Sequence, residues 1–172
     1  LKKADAIEIK IGQGAKPGQG GLLPKEKVTQ EIAEIRKIEK GKDVHSPPFH
    51  PDIKNIEDLK EKVSWLRKLT TSKPIIIKLG AGDVEGDVSL AVKANPDIIA
   101  IDGIEGGTGA APEVMLDEVG IPTLAALARA RKTLDEMKAA QELWIGGGLS
   151  KGGDFAKALA LGADAVFVAF PL

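Results

Sequence analysis

An α/β fold built on a parallel sheet is predicted by three observations. Apolar runs of strand length, such as IIIKL and DIIAI, alternate with stretches of helical periodicity along the chain. These runs are almost continuously apolar, the pattern of parallel strands covered on both faces. Glycine-rich turns follow three of the strands: GQGAKPGQGG, GIEGGTG and GGGLSKGG.

In chain order, residues 6–11 (AIEIKI) alternate apolar and polar and predict a strand. Residues 13–21 form a glycine-rich loop that carries Gln13, Lys16 and Gln19. Val28, Ile32, Ile35 and Ile38 make a helical stripe over residues 28–38. Residues 43–51 (DVHSPPFHP) hold three prolines, so they form a stiff loop. Asn55 caps a helix over residues 56–69, on which Leu59, Val63, Trp65, Leu66 and Leu69 form the core stripe. Residues 74–79 are a strand interrupted only by Lys78; residues 87–94 are a short helix. Residues 97–101 are a strand that enters the glycine turn at 103–109. Residues 112–119 are helical, 121–127 suit a short strand, and 128–140 are helical. The last unit is strand 143–145, glycine turn 146–148, helix 155–161 and strand 163–170, with Gly162 closing the helix.

That succession amounts to about six βα units, where a closed (β/α)8 barrel needs eight. The expectation is one domain over residues 1–172, an incomplete barrel of that family lacking its first strands. Composition adds limits. There is no Cys, so no thiolate nucleophile, disulfide or iron–sulfur ligand lies in the chain. No apolar run reaches the ~18 residues of a membrane span and no signal-peptide pattern opens the chain, so a cytoplasmic protein is expected. Net charge is −1, with residues 1–73 basic and the remainder acidic. Lys and Glu are interleaved, which suits solvated helices rather than a nucleic-acid surface.

Gly146, Gly147 and Gly148 end an apolar strand and are followed closely by a helix. Adjacent glycines let backbone N–H groups approach an anion, and the helix adds its positive end, as in the phosphate grip of (β/α)8 barrels. A tight βα turn without a ligand is the alternative. Lys78, inside an apolar strand, is costly unless it faces a ligand or a carboxylate. It is either a cation beside an anionic cofactor ring, stabilising charge on a reduced flavin, or a snorkelling side chain ion-paired with Asp102. Gln13 and Lys16 follow a strand end, where barrel active sites collect. Arg36 is the first Arg in the chain and could pair with Lys16 to grip a dicarboxylate, or simply be solvated. Thr108 either donates to a ligand or caps the next segment. His45 and His50 match no zinc spacing, and no metal is expected.

The motifs IKIGQGAKPGQGGLLP, SPPFHPDI, IIIKL, DGIEGGTGAAP and GGGLSKGGDFAKALALGADAVFVAFPL occur in that order. Together they resemble the FMN-binding synthase domain of the glutamate synthase large subunit, in its archaeal or thermophilic form. The resemblance covers nearly the whole chain and implies an FMN barrel that makes L-glutamate. Hydride from reduced FMN is delivered there to 2-iminoglutarate, formed from 2-oxoglutarate and ammonia or glutamine-derived ammonia. It implies other glutamate synthase domains or subunits as partners, allows a homo-oligomer, and puts a 3Fe-4S cluster outside this segment. Carried over by position, it implies catalytic roles for Lys78 and Gln13 and substrate contacts from Gln13, Lys16 and Arg36. It implies flavin contacts from Lys78, Gly106, Gly107, Thr108, Gly109, Gly146, Gly147, Gly148, Ala169 and Phe170. Leu22 stands where the family usually has Gln, Ala111 where Ser is common, and Arg129 where Glu occurs. Another FMN- or phosphate-binding barrel oxidoreductase, or a non-catalytic flavin-binding module, is the competing assignment.

Overall fold

The computed structural model describes every residue except Lys2, Gly109, Ala110 and residues 170–172. Five parallel strands form one sheet: β1 (Ile7–Lys10), β4 (Ile75–Gly80), β5 (Ile98–Asp102), β6 (Glu142–Gly146) and β7 (Ala165–Val166). Their order in the sheet, β1-β4-β5-β6-β7, is also their order in the chain. Strands β2 (Leu22–Leu23) and β3 (Val44–His45) form a separate antiparallel pair above it. The helices are α1 (Gln30–Arg36), α2 (Ile56–Leu69), α3 (Val84–Lys93), α4 (Glu113–Glu118), α5 (Thr123–Glu136) and α6 (Gly152–Ala160).

The main core lies between one face of the sheet and α2, α3, α5 and α6. Ile7, Ile9, Ile75, Ile77, Leu79, Ile99, Ile101, Leu143 and Ile145 meet helical residues such as Val63, Val88, Leu127 and Ala158 there. Because strand side chains alternate, Lys10, Ile76, Lys78, Ile98, Ala100, Asp102 and Trp144 share the opposite face. Its apolar cluster contains Ile76, Ile98 and Ala100, flanked by Ala6 and Trp144, and none of its members is helical. Among the described residues helices cover one face of the sheet, and the expected cover on the other face is limited to this small cluster. IIIKL is apolar apart from Lys78 because its helix-facing residues are all isoleucine or leucine while Ile76 joins the small cluster behind.

Three further expectations change. Residues 121–127 are not a strand: Pro122 stands at the N-cap of α5, and Ala126, Leu127, Ala130 and Leu134 recur at helical spacing as its buried face. The observed count is five parallel strands among the described residues rather than about six units. Trp65 is 53% exposed, with Lys62 Nζ 5.2 Å from its ring centroid. It lies one residue, or about 100° of helix, off the buried Leu59–Val63–Leu66 stripe. The last strand is also shorter than residues 163–170, and α3 begins at Val84 because Asp83 caps it by accepting the Gly86 amide at 3.2 Å.

The amino ends of the strands are tied by carboxylates. Asp97, just before β5, accepts the Ile75 amide at 2.8 Å. Asp164, just before β7, accepts the Leu143 amide at 2.8 Å. This leaves the carboxyl ends, with their glycine turns, for the cavities.

Candidate functional site

Two neighbouring cavities lie at the carboxyl ends of the strands. The first, about 340 Å3, is lined by Lys10, Gln13, Lys16, Gln19, Ser46 and His50, among others. The loop between β1 and β2 is held down by close backbone approach: a Cβ on Gly14 would overlap the Gly103 carbonyl. At Gly21 a Cβ would stand 3.3 Å from Lys16 Nζ, so glycine leaves the ammonium its room. Lys10 Nζ donates to Gln13 Oε1 at 2.5 Å. His50 Nε2 lies 2.8 Å from the Lys10 carbonyl, which fixes the proline-rich loop over β1. The Lys16 ammonium is held below its ordinary pKa, first by burial and then by the charge of Lys10. Two cations and an amide around one cavity are suited to carboxylates.

The second cavity, about 440 Å3, is lined by Lys78, Asp102, Glu105, Gly106, the 146–150 segment, Phe167, Val168 and Ala169. Lys78 Nζ is 3.1 Å from Asp102 Oδ2 and 5.5 Å from the centroid of the Phe167 ring. Lys78 is therefore ion-paired with Asp102 and at the same time lines the cavity. Trp144 meets the Phe167 ring edge-on at 5.6 Å.

The glycine turn has an unusual backbone. The Gly146 carbonyl accepts the Gly103 amide at 2.9 Å, and the Gly147 carbonyl accepts the Thr123 hydroxyl at 2.8 Å. In an extended strand, successive carbonyls point in opposite directions. Here both turn towards β5 and α5, because Gly147 has φ 119° and Gly148 has φ 65°, values that favour glycine. Across each trans peptide the N–H opposes the C=O. The amides of Gly147 and Gly148 therefore point away from Gly103 and Thr123, and they have no hydrogen-bond acceptor among the described residues. Two adjacent amides so directed make a concavity for an anion. The first turn of α6 is partly occupied, since Asp154 Oδ2 accepts the Lys151 amide at 3.2 Å.

Glu105 lines the same cavity, but its carboxylate is engaged by the start of α5. One of its oxygens accepts the Thr123 amide at 2.8 Å and lies 2.7 Å from the Thr123 hydroxyl, at the start of α5. This carboxylate caps α5, where Pro122 offers no side-chain cap.

The structure brings Gln13 and Lys16 together in the first cavity, and Lys78, Gly106, Gly146, Gly147, Gly148 and Ala169 together in the second. Arg36 is exposed on α1 and does not line the cavity of Lys16. Gly107, with φ 57°, and Thr108 do not line the second cavity, and Gly109 and Phe170 lie outside the described residues. Sequence reasoning missed Lys10, Glu105 and Thr123. Lys10 joins the site through register: it is the partner of Lys78 across β1 and β4, and this pairing makes the two cavities neighbours. Glu105 and Thr123 sit 18 residues apart, and nothing local announces their contact. Among the described residues no group of His, Asp or Glu is arranged to hold a metal ion, and no helix is long and apolar enough to cross a membrane.

A parallel sheet that carries a lysine and a glycine turn around one cavity describes an α/β protein able to hold an anionic cofactor at its strand ends. The family model for the conserved region in glutamate synthase matches residues 1–171. A glutamate synthase large subunit-like protein of Rhizobium meliloti (strain 1021) is 44% identical over 171 residues, which cover 98% of this chain and 39% of that protein. The archaeal glutamate synthase (NADPH) of Methanocaldococcus jannaschii is 46% identical over 172 residues, covering 98% of this chain and 34% of that protein. That of Archaeoglobus fulgidus is 47% identical over 175 residues, covering 99% and 34%. The chain belongs to the glutamate synthase family, and it spans between 34% and 39% of the length of these relatives.

Proposed function

We propose that this chain is the flavin- and substrate-binding part of a glutamate synthase that forms L-glutamate reductively from 2-oxoglutarate and ammonia. The observation that carries this reading is that Lys78 and the 146–148 turn line one cavity at the carboxyl ends of parallel strands. FMN fits that cavity on three grounds. Its volume, about 440 Å3, lies within the ~300–1,000 Å3 usual for cofactor sites. The amides of Gly147 and Gly148 offer donors to one phosphate. Lys78 supplies a cation where an isoalloxazine ring acquires negative charge on reduction. The neighbouring order of parallel strands supports reading the sheet as an arc of a (β/α)8 barrel, whose active sites lie at this end.

When bound, FMN supplies hydride for the reduction of 2-iminoglutarate. The protein's own residues do the rest. Lys10 and Lys16 hold the carboxylates of 2-oxoglutarate in the first cavity, and Gln13 orients the substrate by hydrogen bonding. Lys78 takes the catalytic position between the two cavities, with Asp102 fixing its ammonium. Arg36 is left out of the substrate site in this reading, because it is exposed on α1.

The test is direct. Denaturing the purified intact protein is expected to release FMN, and reduced protein given 2-oxoglutarate and ammonia is expected to yield glutamate. Release of FAD, or no glutamate from protein that carries reduced flavin, counts against the proposal.

A further inference from the structure

We infer that Thr123 is a positioning residue for the phosphate-binding turn: its hydroxyl sets the direction of the Gly148 amide. This rests on the reading of the second cavity as a flavin site, and it assigns a role to a residue that does not itself line the cavity.

Thr123 is the first residue of α5 and only 1% exposed. Its hydroxyl lies 2.8 Å from the Gly147 carbonyl and 2.7 Å from Glu105 Oε2. Glu105 Oε2 also accepts the Thr123 amide at 2.8 Å, which anchors the threonine through its backbone, and the single hydroxyl proton is shared between that oxygen and the Gly147 carbonyl. The turn is built around this hydroxyl. A Cβ on Gly103 or on Gly147 would overlap Thr123 Oγ1, and a Cβ on Gly148 would come 2.6 Å from Glu105 Cβ.

The consequence follows from peptide geometry. The Gly147 carbonyl and the Gly148 N–H belong to one planar trans unit, so fixing one fixes the other in the opposite direction. Gly147 and Gly148 both have positive φ and little barrier to rotation of that unit. Nothing else among the described residues donates to the Gly147 carbonyl. Without the hydroxyl the peptide is free to rotate, and a carbonyl oxygen can then face the anion in place of the amide. Thr123 thus converts a flexible diglycine into a pre-set donor pair with the Gly147 amide.

The experiment compares FMN with riboflavin, which lacks the phosphate, on the intact protein stripped of flavin. Fluorescence titration is made with wild type, Thr123→Val, Thr123→Ala and Thr123→Ser. Loss of one hydrogen bond serving a charged ligand predicts about tenfold weaker FMN binding in the valine and alanine variants. Riboflavin affinity should stay within about twofold in all four proteins. The serine variant keeps the hydroxyl and should bind FMN within about twofold of wild type. If the valine variant does not fold, the alanine variant, with a good helix former in the first turn of α5, gives the same reading. Equal losses of FMN and riboflavin would mean general loosening of the site and would overturn the inference, as would unchanged FMN affinity without the hydroxyl. Wild-type protein that binds neither flavin would instead overturn the flavin assignment and this inference together.

Discussion

At the scale of single residues, the two lysines of the site are held by opposite means. Lys16 is crowded by burial and by Lys10, so its ammonium is disfavoured until an anion arrives. A carboxylate between the two relieves that repulsion. Lys16→Gln is therefore expected to weaken 2-oxoglutarate binding by about tenfold or more, for the loss of a charge-assisted contact, while FMN affinity stays unchanged. Arg36→Lys is expected to change neither; steady-state KM values and flavin titration check both variants, and a raised KM in Arg36→Lys would return Arg36 to the site. Lys78 is satisfied in advance by Asp102, and the two side chains are only 20% and 15% exposed. Lys78→Met leaves that carboxylate buried without its partner, at a cost of about 1–3 kcal/mol. Lys78→Met combined with Asp102→Asn should recover part of the loss, so the midpoint of thermal unfolding should rise from the single to the double variant. A double variant no more stable than the single one would show that the pair is not coupled.

At the scale of elements, α3 carries a titratable group against its interest. Asp87 is half-buried in its first turn, and burial, then the charge of Asp83, raise its pKa above the ordinary carboxylate value. The folded state therefore binds that proton more tightly than the unfolded chain. As pH rises through the carboxylate range the unfolded chain ionises first, and stability falls. Asp87→Asn is expected to raise the thermal midpoint at neutral pH, with the gain vanishing below about pH 3, where both states are protonated. A gain independent of pH, or a loss at neutral pH, would contradict the assignment. The elements also show which signals were legible. Asn55 and the Leu59–Val63–Leu66 stripe announced α2 over Ile56–Leu69, since a cap and an apolar period are local properties. Strands β4, β5 and β6 were legible for the same reason. The start of α5 was not, because its cap is Glu105, from a different turn, and Ile121-Pro122 looks like the edge of a strand until Ala126 and Leu127 are seen buried. Gln13, Lys16, Lys78 and the 146–148 turn were recognisable by residue type and by position after strands. Which of them share a cavity was not, because that depends on register: Lys10 opposite Lys78, and Asp102 opposite Gly146. Arg36 was grouped with Lys16 by its capacity for bidentate carboxylate binding and by its position in the motif, and neither property carries information about which way α1 faces.

At the scale of the whole molecule, the order β1-β4-β5-β6-β7 puts every parallel strand beside its predecessor in the chain, with α2, α3, α5 and α6 on one side. The other side combines charges, Lys10, Lys78 and Asp102, with the small cluster of Ile76, Ile98 and Ala100. The outer strands β1 and β7 each pair with one neighbour only among the described residues. Unpaired strand edges template association, and an apolar face without a cover favours it. Phe167 and Val168, at 36% and 37% exposure, extend that face beside β7. A polypeptide of these 172 residues alone is therefore expected to self-associate. It is also expected to retain a formed 146–148 turn, because the contacts of that turn with Gly103 and Thr123 are internal to the sheet and α5. Its FMN binding should be weak, since Lys78 and the turn supply only one wall of an enclosure that a tight flavin site needs on several sides. Glutamate synthesis should stay at background, because the two cavities are open and water has free access to the reacting position. Sedimentation velocity, flavin titration and glutamate assay of this polypeptide test the three statements together. A monodisperse monomer that binds FMN tightly and makes glutamate steadily would show that these five strands, without further cover, suffice for the site.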